Sequence, residues 1–295
     1  MDLLTVLYIN YHASKVLGES IRSVRAAMAA CRSHLGPAAD MRMVIANNSP
    51  EDDLSLLRAE DITIMQMERN LGFGRAVNRA CEQIGSEYIL LLNPDTSIDR
   101  EYIYELLRFL QQQPGYAIAY GLLRNPDGSV QTASLRDYPD VLSAVIKLSG
   151  LWRWPRMRSL VAYNKQLTGY DQAQDVNVAS GACMMVRAKA FHEIHGFDER
   201  FFLYAEDIDL SRRLREAGYG IRFLPHVAVM HIKQYSVRHD WFRPLFHFYA
   251  SMVLYLAKYA RGITGYLQLG LGFLFISLLF FLQLGKQALC RLLGK

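Results

Sequence analysis

The 295-residue chain is 51% hydrophobic and 21% charged, an ordinary composition for a folded protein and enough chain for one large domain or two. Its formal charge of +5 is concentrated at one end: residues 236–295 hold seven Lys/Arg against one Asp, interleaved with aliphatic runs, which favours membrane phosphates over nucleic acid as the anionic partner. Cys31, Cys81, Cys183 and Cys290 form no Cys-x-x-Cys pair and no Cys/His spacing, which excludes a zinc or disulfide framework and reads as buried thiols in a reducing compartment.

Residues 3–9 read as a strand ending at Asn10-Tyr11-His12, entered without the basic, apolar and cleavage regions of an export signal, so the bulk of the chain is expected in the cytoplasm. Ser14 is expected to cap a helix whose apolar positions Val16, Leu17, Ile21, Val24 and Met28 recur at helical spacing. Strands follow at 41–46, ending in Asn47-Asn48-Ser49, and at 61–67; residues 70–84 open with glycines and continue as a helix. Residues 88–92 are a buried strand that Asn93-Pro94 stops abruptly, delivering Asp95 into a turn at its C-terminal end. A helix at 99–113 is ended by Pro114-Gly115, a strand-like run covers 116–122, and Pro126-Asp127-Gly128 makes a turn. Residues 133–175 are irregular, aromatic and basic. Order resumes with a strand at 176–186 split by Ser180-Gly181, a loop and amphipathic helix at 197–218, and short strands at 221–224 and 227–230 before His231. Strands alternating with helices imply an α/β fold with a mostly parallel sheet and ligands at the C-terminal strand ends.

Three places carry chemistry. Asp95, on its proline-stiffened turn, suits a hard divalent cation that can in turn hold a diphosphate, although an Asn-Pro-Asp-Thr segment is also an ordinary Asx turn or helix cap. The segment from Asn70 to Asn78 has Gly72-x-Gly74 before a helix but Val77 where a dinucleotide fingerprint needs its third glycine; what remains is a helix N-terminus with Arg75 beside it, suited to a nucleotide's polar groups. Glu206 and Asp207 fall in the first turn of a helix whose buried stripe is marked by Leu210, Leu214 and Ala217, where they either cap the helix or act as acid and base. His231 is either a hydrogen-bonded structural histidine or a ligand.

In order and spacing these pieces resemble family 2 glycosyltransferases of the GT-A fold, in their bacterial rhamnosyltransferase-like branch, over residues 3–260. The resemblance is carried by Tyr8-Ile-Asn-Tyr11, Val44-Ile-Ala-Asn-Asn-Ser49, the Asn70 to Asn78 segment, Leu92-Asn-Pro-Asp-Thr96, Ser180-Gly-Ala-Cys183, Gly196-Phe-Asp-Glu199, Ala205-Glu-Asp-Ile-Asp-Leu210 and His231 before Ser236. It implies a catalytic domain over 1–235, with a nucleotide-sugar half at 1–122 and an acceptor half at 123–235, and a helical membrane-association region at 236–295. It places Asp95, the last carboxylate of an Asp-x-Asp motif that here begins with Asn93, as principal ligand of Mg2+ or Mn2+, with His231 as a second. Asp207 matches the catalytic base, with Glu206 beside it. Asn10, Asn47, Asn70, Gly72, Gly74, Arg75, Asn78 and Asn93 fall on the donor side, and Ser180, Gly181 and Ala182 on the acceptor side. Asn47 stands where an Asp usually reads the base or ribose, one charge fewer. Gln234, Arg238 and Trp241 lack the spacing of the processive synthases' Gln-x-x-Arg-Trp, which favours transfer of a single sugar.

The implied activity is inverting transfer of L-rhamnose from dTDP-rhamnose to a polyprenyl-diphosphate-linked glycan in surface polysaccharide (O-antigen) synthesis, at the cytoplasmic face of the bacterial inner membrane. A UDP-hexose or galactofuranose transferase and a catalytically silent nucleotide-binding scaffold are the alternatives, and an oligomer is open. Residues 266–285 carry no charge, with Lys258 and Arg261 before them and Lys286, Arg291 and Lys295 after; a single crossing, a shallow hairpin, an in-plane helix and a buried interface helix all fit. Trp152 and Trp154, alternating with Arg153, Arg156 and Arg158, read as a partly buried insertion or as a lip at the membrane surface.

Overall fold

A computed structural model describes residues 2–139, 146, 149–154, 156, 169–232 and 242–292. Residues 155 and 157–160, the end of the Trp/Arg stretch, lie outside that set, as do Gln234, Ser236, Arg238 and Trp241; within it, Trp154 is exposed.

The apolar run after Glu87 is a strand covered on both faces. In β4 (Tyr88–Leu92) every residue is buried, Tyr88, Leu90 and Leu92 in one core cluster and Ile89 and Leu91 in another, the period-two alternation of an extended chain. β1 (Leu4–Asn10) divides its side chains in the same way and runs parallel to β4 on one side and to β2 (Met41–Asn47) on the other, with β3 (Ile62–Gln66) parallel at the edge. α1 (Ser14–Leu35) and α3 (Tyr102–Gln112) cover the first face through Leu17, Ile21, Val24, Met28, Leu106 and Leu110. The second face is covered by α2 (Phe73–Cys81), α4 (Ala188–Glu193) and α5 (Glu206–Glu216).

Beyond β4 the sheet changes direction. Its order is β3-β2-β1-β4-β8-β6-β9-β5, in which β8 (Cys183–Arg187) is antiparallel to both β4 and β6 (Tyr116–Arg124). β9 (Gly220–His231) is parallel to β6, while β5 (Thr96–Ile98) and β7 (Gln174–Asp175) are antiparallel to β9. The expected parallel character therefore holds from β3 to β4 and for β6 with β9. The inversion of β8 brings its entry, Ser180 to Ala182, alongside the exit of β4, where Leu92 pairs with Cys183 and the Asn93 N–H donates to the Ala182 carbonyl at 2.9 Å.

Four local expectations are corrected. Ser14 is the first helical residue and no cap; Asn10 Oδ1 at the end of β1 accepts the Ala13 N–H instead. The short strands at 221–224 and 227–230 are one strand, β9, whose register on β6 slips between Gly121 and Leu122, so that Pro225, with no N–H to donate, lies in the unpaired bulge. Residues 176–182 join no strand of the sheet beyond a bridge between Val178 and Arg136 and a bond from the Val176 N–H to Ile221. In α5 Ala217 is exposed, and the buried side takes in Glu206, Asp207, Asp209 and Ser211 along with Leu210 and Leu214.

A third apolar cluster joins α6 (Phe242–Tyr259) and α7 (Gly262–Leu292) to this body. Tyr249, Met252, Tyr255 and Leu256 of α6 pack on Phe201, Ala205 and Ile208 at the start of α5, and Ile276 of α7 closes over them.

Candidate active site

The exits of β1 and β2 hold a buried amide network. Asn10 Nδ2 donates to Asn47 Oδ1 and to Asp52 Oδ2, each at 2.9 Å, while Asn47 Nδ2 donates to the Asp52 carbonyl and to Gln66 Oε1. His12, with φ of 51°, places Nδ1 3.4 Å from Asp52 Oδ1 and Nε2 3.2 Å from Glu51. Asp52 thus puts a carboxylate on the Asn10 amide that also holds Asn47. Next to it, Asn48 Nδ2 donates to Asn70 Oδ1 and to the Gly72 carbonyl, and Asn70 Oδ1 accepts the Gly72 N–H, which fixes the loop entering α2.

That loop is held from the other side as well. Gly72 has φ of 81°, and a Cβ there would lie 2.4 Å from the Phe202 carbonyl, which accepts the Phe73 N–H. Gly74 packs on Phe197, Arg75 Nε donates to Glu199 at 2.9 Å, and Asn78 exchanges hydrogen bonds with the Phe197 backbone. Gly74, Arg75 and Asn78 are thereby engaged with the segment leading into α5, whereas Asn10, Asn47, Asn70 and Gly72 line the ends of the first strands.

At the exit of β4 the turn from Asn93 is closed by Thr96 Oγ1 donating to the Asn93 carbonyl, and it brings Asp95 to the end of β9, where the Ile232 N–H donates to the Asp95 carbonyl at 2.9 Å. His231 Nε2 lies 3.4 Å from Asp95 Oδ1. Gln131 fixes the ring: its Nε2 donates to the His231 and Arg124 carbonyls, which leaves Oε1 to face His231 Nδ1 at 3.3 Å. The ring's other nitrogen is thereby turned to Asp95, an imidazole and a carboxylate side by side. No group of three or more Asp, Glu, His or Cys able to hold a metal stands among the described residues. The donor set therefore fits a Mg2+ or Mn2+ ion that completes its shell with phosphate and water, and does not fit a closed protein cage.

Asp207 lies against the entry of β8. Its Oδ2 accepts the Gly181 N–H at 2.9 Å and a hydrogen bond from Arg136 Nη2, and its Oδ1 accepts the Ile208 N–H at 2.8 Å. Arg136 also donates to the Ala179 carbonyl at 2.7 Å, and the Ala179 N–H donates to Ser211 Oγ, so the Ser180 to Ala182 corner is fastened to α5 at both edges. Tyr204 and Ala205, at φ of 69° and 63°, make the turn that starts α5, a left-handed pair costing about 1–2 kcal/mol per residue. Glu206 is buried beside Asp207, with Oε2 lacking a hydrogen-bond partner among the described residues; desolvation, then the charge of Asp207, push its carboxyl well above the ordinary carboxylate range.

The structure thus brings Asp95, His231, Asn93, Ser180, Gly181, Ala182, Glu206 and Asp207 to one sheet edge, contiguous with the Asn10 network through the pairing of β1 and β4. Arg136, Asp52 and Gln131 belong to it and were not legible as site residues. Arg136 stands alone in an irregular segment, 71 residues from the carboxylate it meets.

The family described as glycosyltransferase like family 2 matches residues 3–241. An N-acetylglucosaminyl-diphospho-decaprenol L-rhamnosyltransferase of Mycobacterium tuberculosis is 28% identical over 275 residues, covering 88% of this chain and 86% of its own length. The rhamnosyltransferase WbbL of Escherichia coli is 25% identical over 198 residues, 63% of this chain and 70% of that one. Among solved structures, residues 1–349 of S. aureus TarS superpose with a TM-score of 0.57 at 16% identity, over 92% of this chain and 70% of that one, a likeness of fold.

Proposed function

The chain belongs to glycosyltransferase-like family 2, and on that premise we propose that it transfers one L-rhamnose from dTDP-rhamnose, with inversion, to a polyprenyl-diphosphate-linked glycan at the cytoplasmic face of a bacterial membrane. The observation that carries this reading is that Asp207, held by Arg136 and the Gly181 amide, and the Asp95 and His231 pair are both anchored at the exit of β4, where Asn93 bonds Ala182. The relative named for L-rhamnosyl transfer to N-acetylglucosaminyl-diphospho-decaprenol, matched over most of both chains, supports the donor sugar and the acceptor class.

Asp207 takes the proton of the acceptor hydroxyl, and the oxygen attacks the anomeric carbon from the face opposite the diphosphate; one displacement inverts that centre. Asp95 and His231 would hold a divalent cation, which when bound neutralises charge on the departing diphosphate. Arg136 orients the base through Oδ2, while Oδ1 accepts the backbone amide of Ile208. Asp52, the partly exposed member of the network that buries Asn10 and Asn47, offers its carboxylate to the ribose of the donor.

A panel of sugar nucleotides tests this, with polyprenyl-diphospho-N-acetylglucosamine as acceptor and nucleotide release and glycolipid product both measured. Transfer from dTDP-rhamnose in preference to UDP-hexoses is the expected result. Preference for a UDP-sugar would overturn the donor, and no transfer from any donor would leave a nucleotide-binding scaffold.

A further inference from the structure

The long apolar helix α7 has two different sides. Leu269, Ile276, Leu279 and Phe280 face α6, where the Phe280 ring packs against those of Phe242 and Tyr249, and Tyr249 Oη donates to Gln283 at 2.6 Å. At the other end Gly265 packs on Ala260, so α7 runs back along the whole length of α6. Its opposite side bears Ile263, Leu267, Leu271, Leu274, Leu278 and Phe281, all exposed, Ile263 at 82% and Leu271 at 68% against 3% for Ile276. At 3.6 residues per turn these form one stripe, which with Tyr266 and Phe273 along one border spans about 180° of the circumference.

We propose that α7 lies in the plane of a lipid bilayer, this stripe sunk among the acyl chains and the other side seated on α6, so that the protein is monotopic and does not cross. Length does not decide the matter: the Gly265–Gly285 segment, with mean hydropathy 2.1, is about 32 Å long at 1.5 Å per residue, enough for one crossing. Packing decides it. α6 is fastened to α5 by Lys258 Nζ, which donates to Asp209 at 2.5 Å and to Asp198 at 2.7 Å, by Tyr259 Oη donating to Asp209, and by Arg212 over the Tyr259 ring. A crossing helix that kept its seat would draw these charges into hydrocarbon, and one that left it would bare Tyr249 and Met252.

The in-plane placement leaves every contact intact and buries only side chains that are already bare. The window from Gly262 to Gly285 contains no charged residue and is flanked by Arg261 and Lys286, which suits an anionic headgroup layer on either side of an apolar stripe. The start of α5, α6 and α7 share one apolar cluster, so the helix that carries Asp207 is joined directly to the assembly that rests on the surface. That is a position from which a glycan standing on a lipid diphosphate can reach the base. The choice of lipid as the covering surface rests on the acceptor proposed above.

Depth measurements on the full-length chain, in a Cys290→Ser background that removes the tail thiol, test the placement. An environment-sensitive fluorophore at Leu267→Cys, Leu274→Cys or Phe281→Cys, on vesicles of phosphatidylethanolamine and phosphatidylglycerol, is quenched by nitroxides placed shallow or deep in the acyl chains. Equal shallow depth at all three positions is the expected result, with Leu271→Asp/Leu278→Asp lowering vesicle binding at least tenfold while nucleotide release is unchanged. Leu274 markedly deeper than both flanking positions would mean a crossing helix. No quenching, with a dimer in sedimentation that the aspartates dissolve, would make the stripe a contact between copies; either outcome overturns the proposal. The readouts do not use glycosyl transfer, so an inactive enzyme with uniform shallow depth would fault the acceptor and spare the placement.

Discussion

Replacing Lys258 by Met removes one charge at the joint between α6 and α5 and keeps most of the apolar stem. Its ammonium reaches Asp209, which is fully buried and also accepts from Arg213 Nε at 2.8 Å and Tyr259 Oη at 2.7 Å. Breaking a buried ion pair from one side costs about 3–5 kcal/mol because the partner charge stays behind. Two donors remain on Asp209 here, so the low end applies, about 3 kcal/mol. Asp198 adds little: the Arg200 hydrogen bond is the largest influence holding its carboxyl well below the usual range, ahead of Lys258, and Arg200 is untouched. Thermal unfolding in detergent should therefore show a midpoint lower by roughly 6–12 °C for a chain of this size. A cycle with Asp209→Asn should give a coupling above about 1.5 kcal/mol. A loss below about 1 kcal/mol with no coupling would mean that the pair behaves as a solvated surface bridge and that α6 is not part of the catalytic body.

Gly181→Ala would set a Cβ 3.3 Å from both Cβ and Oδ2 of Asp207, so the base must move by a few tenths of an ångström; turnover should fall roughly 10- to 100-fold with donor affinity unchanged, and equal kcat in the variant would refute a tight fit there. Glu206 contributes a pH dependence whose sign follows from its raised carboxyl: below its ordinary 4.5 both folded and unfolded chains hold the proton, and from there to about 8 only the folded chain does, so native stability falls with rising pH. Glu206→Gln should therefore gain on wild type in denaturant titrations between pH 5 and pH 8, and parallel profiles would show that Glu206 is ionised when folded. Asp95→Ala should weaken Mn2+-dependent donor binding at least tenfold by calorimetry, whereas unchanged affinity would reduce the Asn-Pro-Asp turn to a structural role.

Much of the first half was legible because its information is local. The run at 88–92 is apolar at every position and ends in Asn-Pro, and the observed strand has those bounds. Strand direction is not local: nothing in Cys183–Arg187 tells whether it runs with β4 or against it, and the reversal becomes visible only when Asn93 meets Ala182. The runs at 221–224 and 227–230 read as two strands, yet the bulge opposite Gly121 and Leu122 takes up Pro225 between them and keeps them one. Glu206 and Asp207 were found through their place in a first turn, while the role of Asp209 was hidden because its partners Lys258 and Tyr259 come 49 and 50 positions later. For Arg136 no periodic pattern or motif marks the segment, and its pairing with Asp207 is a purely tertiary fact.

Whether Asp207 is the base of a sugar transfer is read from single-turnover transfer by Asp207→Asn, set beside equilibrium donor binding. Asparagine keeps the size and still accepts from the Gly181 amide, but it cannot take a proton. Glycolipid formation from dTDP-rhamnose should be slowed at least about a thousandfold, with the dissociation constant for the donor within about threefold of wild type. Transfer at near wild-type rate by the asparagine variant would contradict that role for Asp207.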